Sequence, residues 1–503
     1  MTSEISLRQY QAEALDELRY SLAGGNRRVM LYSPTGSGKT EMAMAMIRGA
    51  ISKGKRVAFV VNRKALVEQT SRRFWKAGIQ HGIVQAENTA NLGASVLVCS
   101  IDSVHKRGLP DVDLLVIDEA HGVAGNSKYR ALLFRLNALP VIGLSATPFS
   151  IGLGKHYPEL KGPLFEDLVE ATTIRELIDL GFLVDVDVFA PSTPDLSGVK
   201  VSRNAHGEPD YSEIDLAGAV DKPDLIGDIV RNWIRLANGM QTVCFATSIP
   251  HSRHIVESFN AAGIPAAHLD CYADDDERKA VLEAFNRREI RVLSNVAILA
   301  EGWDAPETTC MILARPTKSL IRFIQMAGRV LRPFAGKDRA LLLDHSGTVA
   351  RLGFPTDDLP LELNRGKPRK EGSSKPEERL PKACPSCHYM KAPGVHACPS
   401  CGFAPERPPK DVRVEDADLV KVDRKRQPTK AEKQRVFSEL LWIEVKRLYR
   451  HGWAANQYRS YFGVWPRNLE ERSEPASPET VSWVKSRQIA YAKRQKGGDH
   501  AAA

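Results

Sequence analysis

Short apolar runs alternate with amphipathic stretches twice along this 503-residue chain, and that rhythm limits the fold more tightly than any other feature. The first series holds Arg28–Ser33, Arg56–Val61, Ser95–Ser100, Leu114–Ile117 and Val141–Ser145, with helical stretches such as Lys39–Ser52 and Lys64–Lys76 between them. Runs this short and this rich in Val, Leu and Ile read as strands covered on both faces rather than as buried helices. A second series starts at Pro223, with strands at Thr242–Ala246, Arg291–Asn295, Thr309–Ala314 and Ala340–Asp344 and helices over Pro250–Ala262, Asp274–Arg287 and Ser319–Leu331. Strand–helix–strand order predicts parallel pairing. The chain therefore reads as α/β, with two tandem parallel-sheet lobes at 1–155 and 223–354 joined by a connecting segment at 156–222. Within that segment Pro191–Asp215, rich in Pro, Ser, Asp and Gly, reads as irregular.

After Asp344 the rhythm stops. Residues 355–381 read as a linker crowded with Pro, Gly and charge, 382–404 as a Cys-rich module, and 405–503 as a basic linker with a small helical C-terminal module. From Lys430 onward Val436, Phe437, Leu440, Leu441, Val445, Leu448 and Tyr449 recur at helical spacing. Positive charge gathers in this region: residues 361–503 hold 29 Lys and Arg against 18 Asp and Glu, in a chain whose net charge is +9. A basic appendage on a near-neutral body suits contact with a polyanion, although a solubilising tail carries the same signature. With 43% hydrophobic and 26% charged residues the composition excludes a disordered chain or a rod. Apolar runs such as Val57–Val61 fall far short of the roughly 18 residues of a membrane span. Met1–Leu7 lacks the basic-then-apolar layout of a signal, so the expectation is a cytoplasmic protein in a reducing compartment.

Three local patterns carry chemistry. Thr35-Gly36-Ser37-Gly38-Lys39-Thr40 follows one strand and opens a helix, the layout of a shortened Walker A loop. Its glycines let backbone N–H groups approach phosphate oxygens, Lys39 reaches the β and γ phosphates of ATP, and the Thr40 hydroxyl ligates Mg²⁺. Asp118-Glu119 ends another strand, where an open α/β sheet faces its ligand crevice. Asp118 is placed to hold the Mg²⁺, and Glu119 to orient and deprotonate an attacking water. Arg329 and Arg332 lie three apart and so are expected on one helical face, where they would meet the γ phosphate if the second lobe closes on the first. An exposed basic helix face is the plainer reading of those two arginines alone.

The ordered set Gln11, Gly36–Thr40, Arg63, Asp118–His121, Ser145-Ala146-Thr147, Gly302 with Asp304, and Gln325–Arg332 resembles the DEAH-type helicases of superfamily 2 over roughly residues 5–350. More narrowly, LRQYQ, EGWDAP, ARPTKS, QMAGRVLRP and LLLDHSG are similar to the RadD-like DNA repair helicases and their phage relatives. The resemblance implies two RecA-like lobes with ATP between them. It implies that Arg8 and Gln11 select adenine and that Gly302 and Asp304 sense nucleotide from the second lobe. It further implies that His121, Ser145, Thr147 and Gln325 couple hydrolysis to lobe movement, and that Arg63, Ser100, Thr247 and Asn295 lie near the nucleic-acid strand. One departure is Trp303, where many relatives carry a smaller or different aromatic residue.

Cys384-x2-Cys387-x10-Cys398-x2-Cys401 is the spacing of a structural Zn²⁺ ribbon, four thiolates filling a tetrahedral shell with no open position. His388 and His396 are expected at the surface. In the C-terminal module Trp442, Trp453, Tyr458, Tyr461, Phe462, Trp465 and Trp483 lie among Lys446, Arg447, Arg450, Arg459 and Arg467. They suit either base stacking or, more simply, the core of a small helical domain. The expected activity is an ATP-dependent DNA helicase or translocase in repair, recombination or phage replication, partnered by DNA and by a single-strand-binding or other repair protein. An RNA helicase, and an ATP-switched recruitment platform docking partners through its tail, are the two alternative readings of the same residues.

Overall fold

A computed structural model of the chain describes residues 6–204, 208–299, 303, 305–366, 380–405, 428–462, 464–466 and 469–487. It divides into two compact units, 1–406 and 407–503. The first unit holds two open sheets. Seven strands form the first, in the order Gly82–Val84, Val96–Ser100, Val57–Val61, Leu114–Ile117, Val141–Ser145, Arg28–Tyr32 and Asp167–Glu170, all parallel. Six form the second, in the order Asp185–Phe189, Arg339–Asp344, Cys310–Leu313, Thr242–Phe245, Val292–Asn295 and Ala266–Leu269, again all parallel. These are the two RecA-like lobes.

Side-chain alternation along each strand feeds two cores per sheet. In the first lobe Val29 and Leu31 pack with Met42 and Phe59 on one face, while Met30 packs with Leu115 and Phe165 on the other. In the second, Val243, Met311 and Leu342 lie opposite Cys244, Ile312 and Leu343. Each such side chain contributes about 1.5–3 kcal/mol by leaving water. Burial pushes the Cys244 and Cys310 thiols up to about 12, so they act as small hydrophobes.

The structure departs from the sequence reading in several places. The segment 156–222 is not only a connector: it supplies Asp167–Glu170 to the edge of the first sheet and Asp185–Phe189 to the edge of the second. Edge strands expose one side, so Asp185–Phe189 alternates charged and apolar residues and lacks the continuous apolar run of a central strand. Within the stretch expected to be irregular, Val201–Arg203 and Pro209–Tyr211 pair as an antiparallel hairpin, followed by a helix at Glu213–Val220. The helix expected over Ser319–Leu331 covers only Leu320–Ala327 and is followed by Gly328. Arg329 and Arg332 therefore lie beyond its end and share no helical face. Of the stretch expected as a linker, residues 355–366 are described and hold no strand or helix. There Leu363 packs against the first lobe and the Gly154 N–H donates to the Asn364 carbonyl at 2.8 Å.

Residues 380–405 form a small ribbon with the paired strands Lys382–Ala383 and Met390–Lys391. It covers the edge of the second sheet. Met390 is buried in that lobe's core, Tyr389 stands edge-on to Phe189 at 5.3 Å, and the Ala190 N–H donates to the His388 carbonyl. In the second unit the helices Lys430–Lys446 and Trp453–Phe462 bury Phe437, Leu440, Ile443 and Tyr458 together with Val484. Among the described residues no helix is long and apolar enough to cross a membrane.

Candidate active site: a cleft between the two sheets

The loop after Arg28–Tyr32 turns on two glycines, Gly36 at φ 87° and Gly38 at φ 85°, a region that strains any residue with a Cβ. Gly38 caps the helix Lys39–Ile51. The loop is braced from inside by the Ser33–Ser37 hydroxyl pair and from outside by the helix Gln9–Ala23. Tyr10 Oη and Gln11 Nε2 both donate to the Ser37 carbonyl, at 2.7 and 2.8 Å. Gln11 is buried and so holds the loop's shape, and its Oε1 accepts from the Arg8 N–H at 2.9 Å.

Leu114–Ile117, two strands away, delivers Asp118 and Glu119 to the same end of the sheet. Lys39 Nζ lies 3.3 Å from Glu119 Oε1. His121 Nδ1 lies 3.3 Å from Glu119 Oε2 and 3.2 Å from Ser145 Oγ, which accepts the Thr147 N–H at 3.0 Å. On its far side His121 Nε2 is 3.3 Å from Gln325 Nε2 of the second lobe. Burial, reinforced by the neighbouring Glu119 charge, raises Asp118 to about 6 despite Lys39. Glu119 is half-buried too, and desolvation alone would push it up, but Lys39 and His121 hold it well below the usual carboxylate range. Asp118 and Thr40 offer hard oxygen donors to one cleft, and the raised Asp118 marks a buried negative charge that a cation would relieve. They fit Mg²⁺.

From the second lobe come Trp303, Pro306, Arg329, Arg332 and Pro333, which line the same cleft, of about 760 Å³, as Thr35, Gly36, Gly38, Lys39, Thr40, Asp118 and Glu119. Arg329 Nη1 donates to the Trp303 carbonyl at 2.7 Å. The lobes approach closely at Gly328, where a Cβ would sit 2.9 Å from Thr35 Cβ. Gly302 and Asp304 lie outside the described residues.

Two cleft residues escaped the sequence reading. Arg73 donates to Thr40 Oγ1 at 2.8 Å, and the Phe182 ring lies 3.5 Å beneath the Arg8 guanidinium. Arg73 belongs to an ordinary charged helix and Phe182 to a connecting turn. Neither carries a local signal, since both reach the cleft only through folding.

Of the residues assigned to a nucleic-acid strand, Arg63 is exposed at the start of Lys64–Lys76. Ser100, Thr247 and Asn295 are buried, and the Asn295 amide is spent on the Cys244 carbonyl and the Leu299 N–H. These three do not present side chains to solvent. The thiols of Cys384, Cys387, Cys398 and Cys401 lie within 4.8 Å of one another, a spacing compatible with zinc. In the second unit Tyr458 is core, Trp442, Trp453, Phe462 and Trp483 are half-buried around it, and Tyr461 and Trp465 are each 43% exposed, so the aromatics serve packing first; Arg467 lies outside the described residues.

Residues 4–150 match the family described as the res subunit of type III restriction enzymes, and residues 221–333 match the helicase conserved C-terminal domain. A 51.5 kDa protein of Lactococcus phage (isolate 7-9) is 28% identical over 416 residues, covering 81% of this chain and 85% of its own. A Saccharomyces cerevisiae chain named, provisionally, as the ATP-dependent helicase IRC3 is 27% identical over 71% of this chain, which spans only 55% of the yeast protein's length. The DNA 3′-5′ translocase XPB2 of Sulfurisphaera tokodaii is 26% identical over 68% of this chain and 81% of its own.

Proposed function

Because the chain belongs to the superfamily 2 helicases and is an ATP-hydrolysing enzyme, we propose that it is a DNA-stimulated motor that translocates on or unwinds DNA in repair, recombination or phage replication. One observation carries this reading: a phosphate-cradling loop, an acid pair and two arginines from a second sheet line a single cleft.

On nucleotide binding Lys39 exchanges its Glu119 partner for the β and γ phosphates, and the loop N–H groups take the remaining oxygens. Adenine rests against Phe182 and Arg8. Thr40 and Asp118 would hold Mg²⁺, which when bound would supply charge neutralisation to the phosphates. Glu119 orients a water in line with the γ phosphorus and accepts its proton as the P–O bond to ADP breaks. Arg332, with Arg329 beside it, stabilises charge on the γ-phosphate oxygens from the second lobe. The chain Gln325–His121–Ser145–Thr147 crosses the seam, so a change at the γ phosphate shifts one lobe against the other. A structural Zn²⁺ fits the four cysteines and has no part in the chemistry.

ATP turnover measured with single-stranded, duplex and branched DNA and with matched RNA tests the reading. Stimulation of tenfold or more by DNA, falling steeply with salt, is expected. Equal or greater stimulation by RNA would reassign the substrate, and turnover indifferent to every polymer would contradict the motor.

A further inference from the structure

The hairpin between the lobes meets the second lobe through its carboxylates. Asp210, 2% exposed, accepts from Thr317 Oγ1 at 3.0 Å, from the Lys318 N–H at 2.8 Å and from Arg322 Nη1 at 2.9 Å. Glu208 accepts from Ser319 Oγ at 2.5 Å, and Glu213 from Arg315 Nη2 at 2.6 Å. Between these acids the Tyr211 ring faces Lys318 and Arg351 at 5.5 and 5.6 Å. Hydroxyls, a backbone N–H and guanidinium groups are the donors that proteins use for phosphate oxygens, and cations around a ring suit a stacked base.

Carboxylates leave this set incompletely used. Arg315 is 3% exposed and its Nε has no partner, and Arg351 Nε is likewise buried without one. Burying such donors unmet is costly for a contact whose only purpose is docking. A phosphodiester, with more acceptor oxygens than a carboxylate, would take them up. The contact also lies beside the seam. Ser319 caps the helix Leu320–Ala327, whose Gln325 meets His121.

We propose that the Arg315–Arg322 face of the second lobe, with Arg351, is a binding surface for the phosphodiester backbone of a nucleic-acid strand, which the Glu208–Glu213 segment, from the end of the hairpin into the next helix, occupies as an internal mimic until a strand displaces it. This rests on the motor reading above and adds to it an autoinhibitory contact. Neutralising the mimic frees the surface.

The test uses the full chain carrying Glu208→Gln and Asp210→Asn, with wild type and a thermal melt alongside. Expected are at least tenfold tighter binding of a single-stranded oligonucleotide and a several-fold rise in ATP turnover without nucleic acid. Unchanged affinity and unchanged basal turnover in a folded variant would overturn the inference while wild-type stimulation stands. Absence of stimulation in wild type would instead remove the motor reading. Should the variant unfold, hydrogen exchange of wild type decides: the oligonucleotide, and not inorganic phosphate, should speed exchange over residues 208–216, and slower or unchanged exchange there would refute the mimic.

Discussion

Glu119 sits at φ 47°, in the left-handed region, where a residue with a side chain pays roughly 1–3 kcal/mol. That backbone turn aims its carboxylate at Lys39 while Asp118, one residue earlier, is half-buried in the same cleft. The two acids are thus pushed apart in acidity, Asp118 upward by burial and Glu119 downward by its cationic neighbours. A proton competes with Mg²⁺ for Asp118, so affinity for the Mg²⁺–ATP complex should weaken as pH falls through about 6 and level off above it. Titrating a fluorescent nucleotide between pH 5 and 8 reads this directly. A flat profile would mean that Asp118 does not hold the cation. The placement of Lys39, Asp118 and Glu119 in one cleft was legible in the sequence because it follows from neighbours within a few residues: a Gly-rich turn, a strand end. Arg73 and Phe182 were not, because their partners, Thr40 and Arg8, lie far off in the chain.

At the scale of elements, central strands were legible from their unbroken apolar runs, whereas Gly82–Val84, Ala266–Leu269 and the two edge strands from 156–222 were not. They are short or half-exposed, and their signal merges with that of loops. The end of the helix at Ala327 was also hidden. A Cβ at Gly328 would meet the other lobe's Thr35 at 2.9 Å as well as the Ile324 carbonyl at 3.1 Å, and the Thr35 contact leaves no trace in the neighbouring sequence. Gly328→Val should therefore leave both lobes folded yet wedge the seam, lowering turnover at least tenfold. A folded variant with wild-type turnover would show that the seam does not need this closeness. The ribbon makes a parallel case. Because Met390 and Tyr389 pack on the second sheet, metal analysis should find about one Zn²⁺ per chain, and its removal should destabilise that lobe by about 2 kcal/mol. Chelation that left the melting profile unchanged would contradict this.

Across the whole first unit, two sheets of the same design face each other so that one brings the phosphate loop and acids and the other brings arginines. The duplicated strand–helix rhythm announced both sheets, and the order of the motifs announced their pairing. What it did not announce is the hairpin between them, whose carboxylates are ordinary in sequence and become informative only where Arg315 and Arg322 meet them. The central claim is that catalysis is shared across the seam. Arg332 tests it most directly, since Arg329 also braces the Trp303 carbonyl. ATP turnover by Arg332→Ala, measured beside its nucleotide affinity, should fall by 10³ or more while affinity changes less than tenfold; turnover within a few-fold of wild type would contradict a catalytic site built from two lobes.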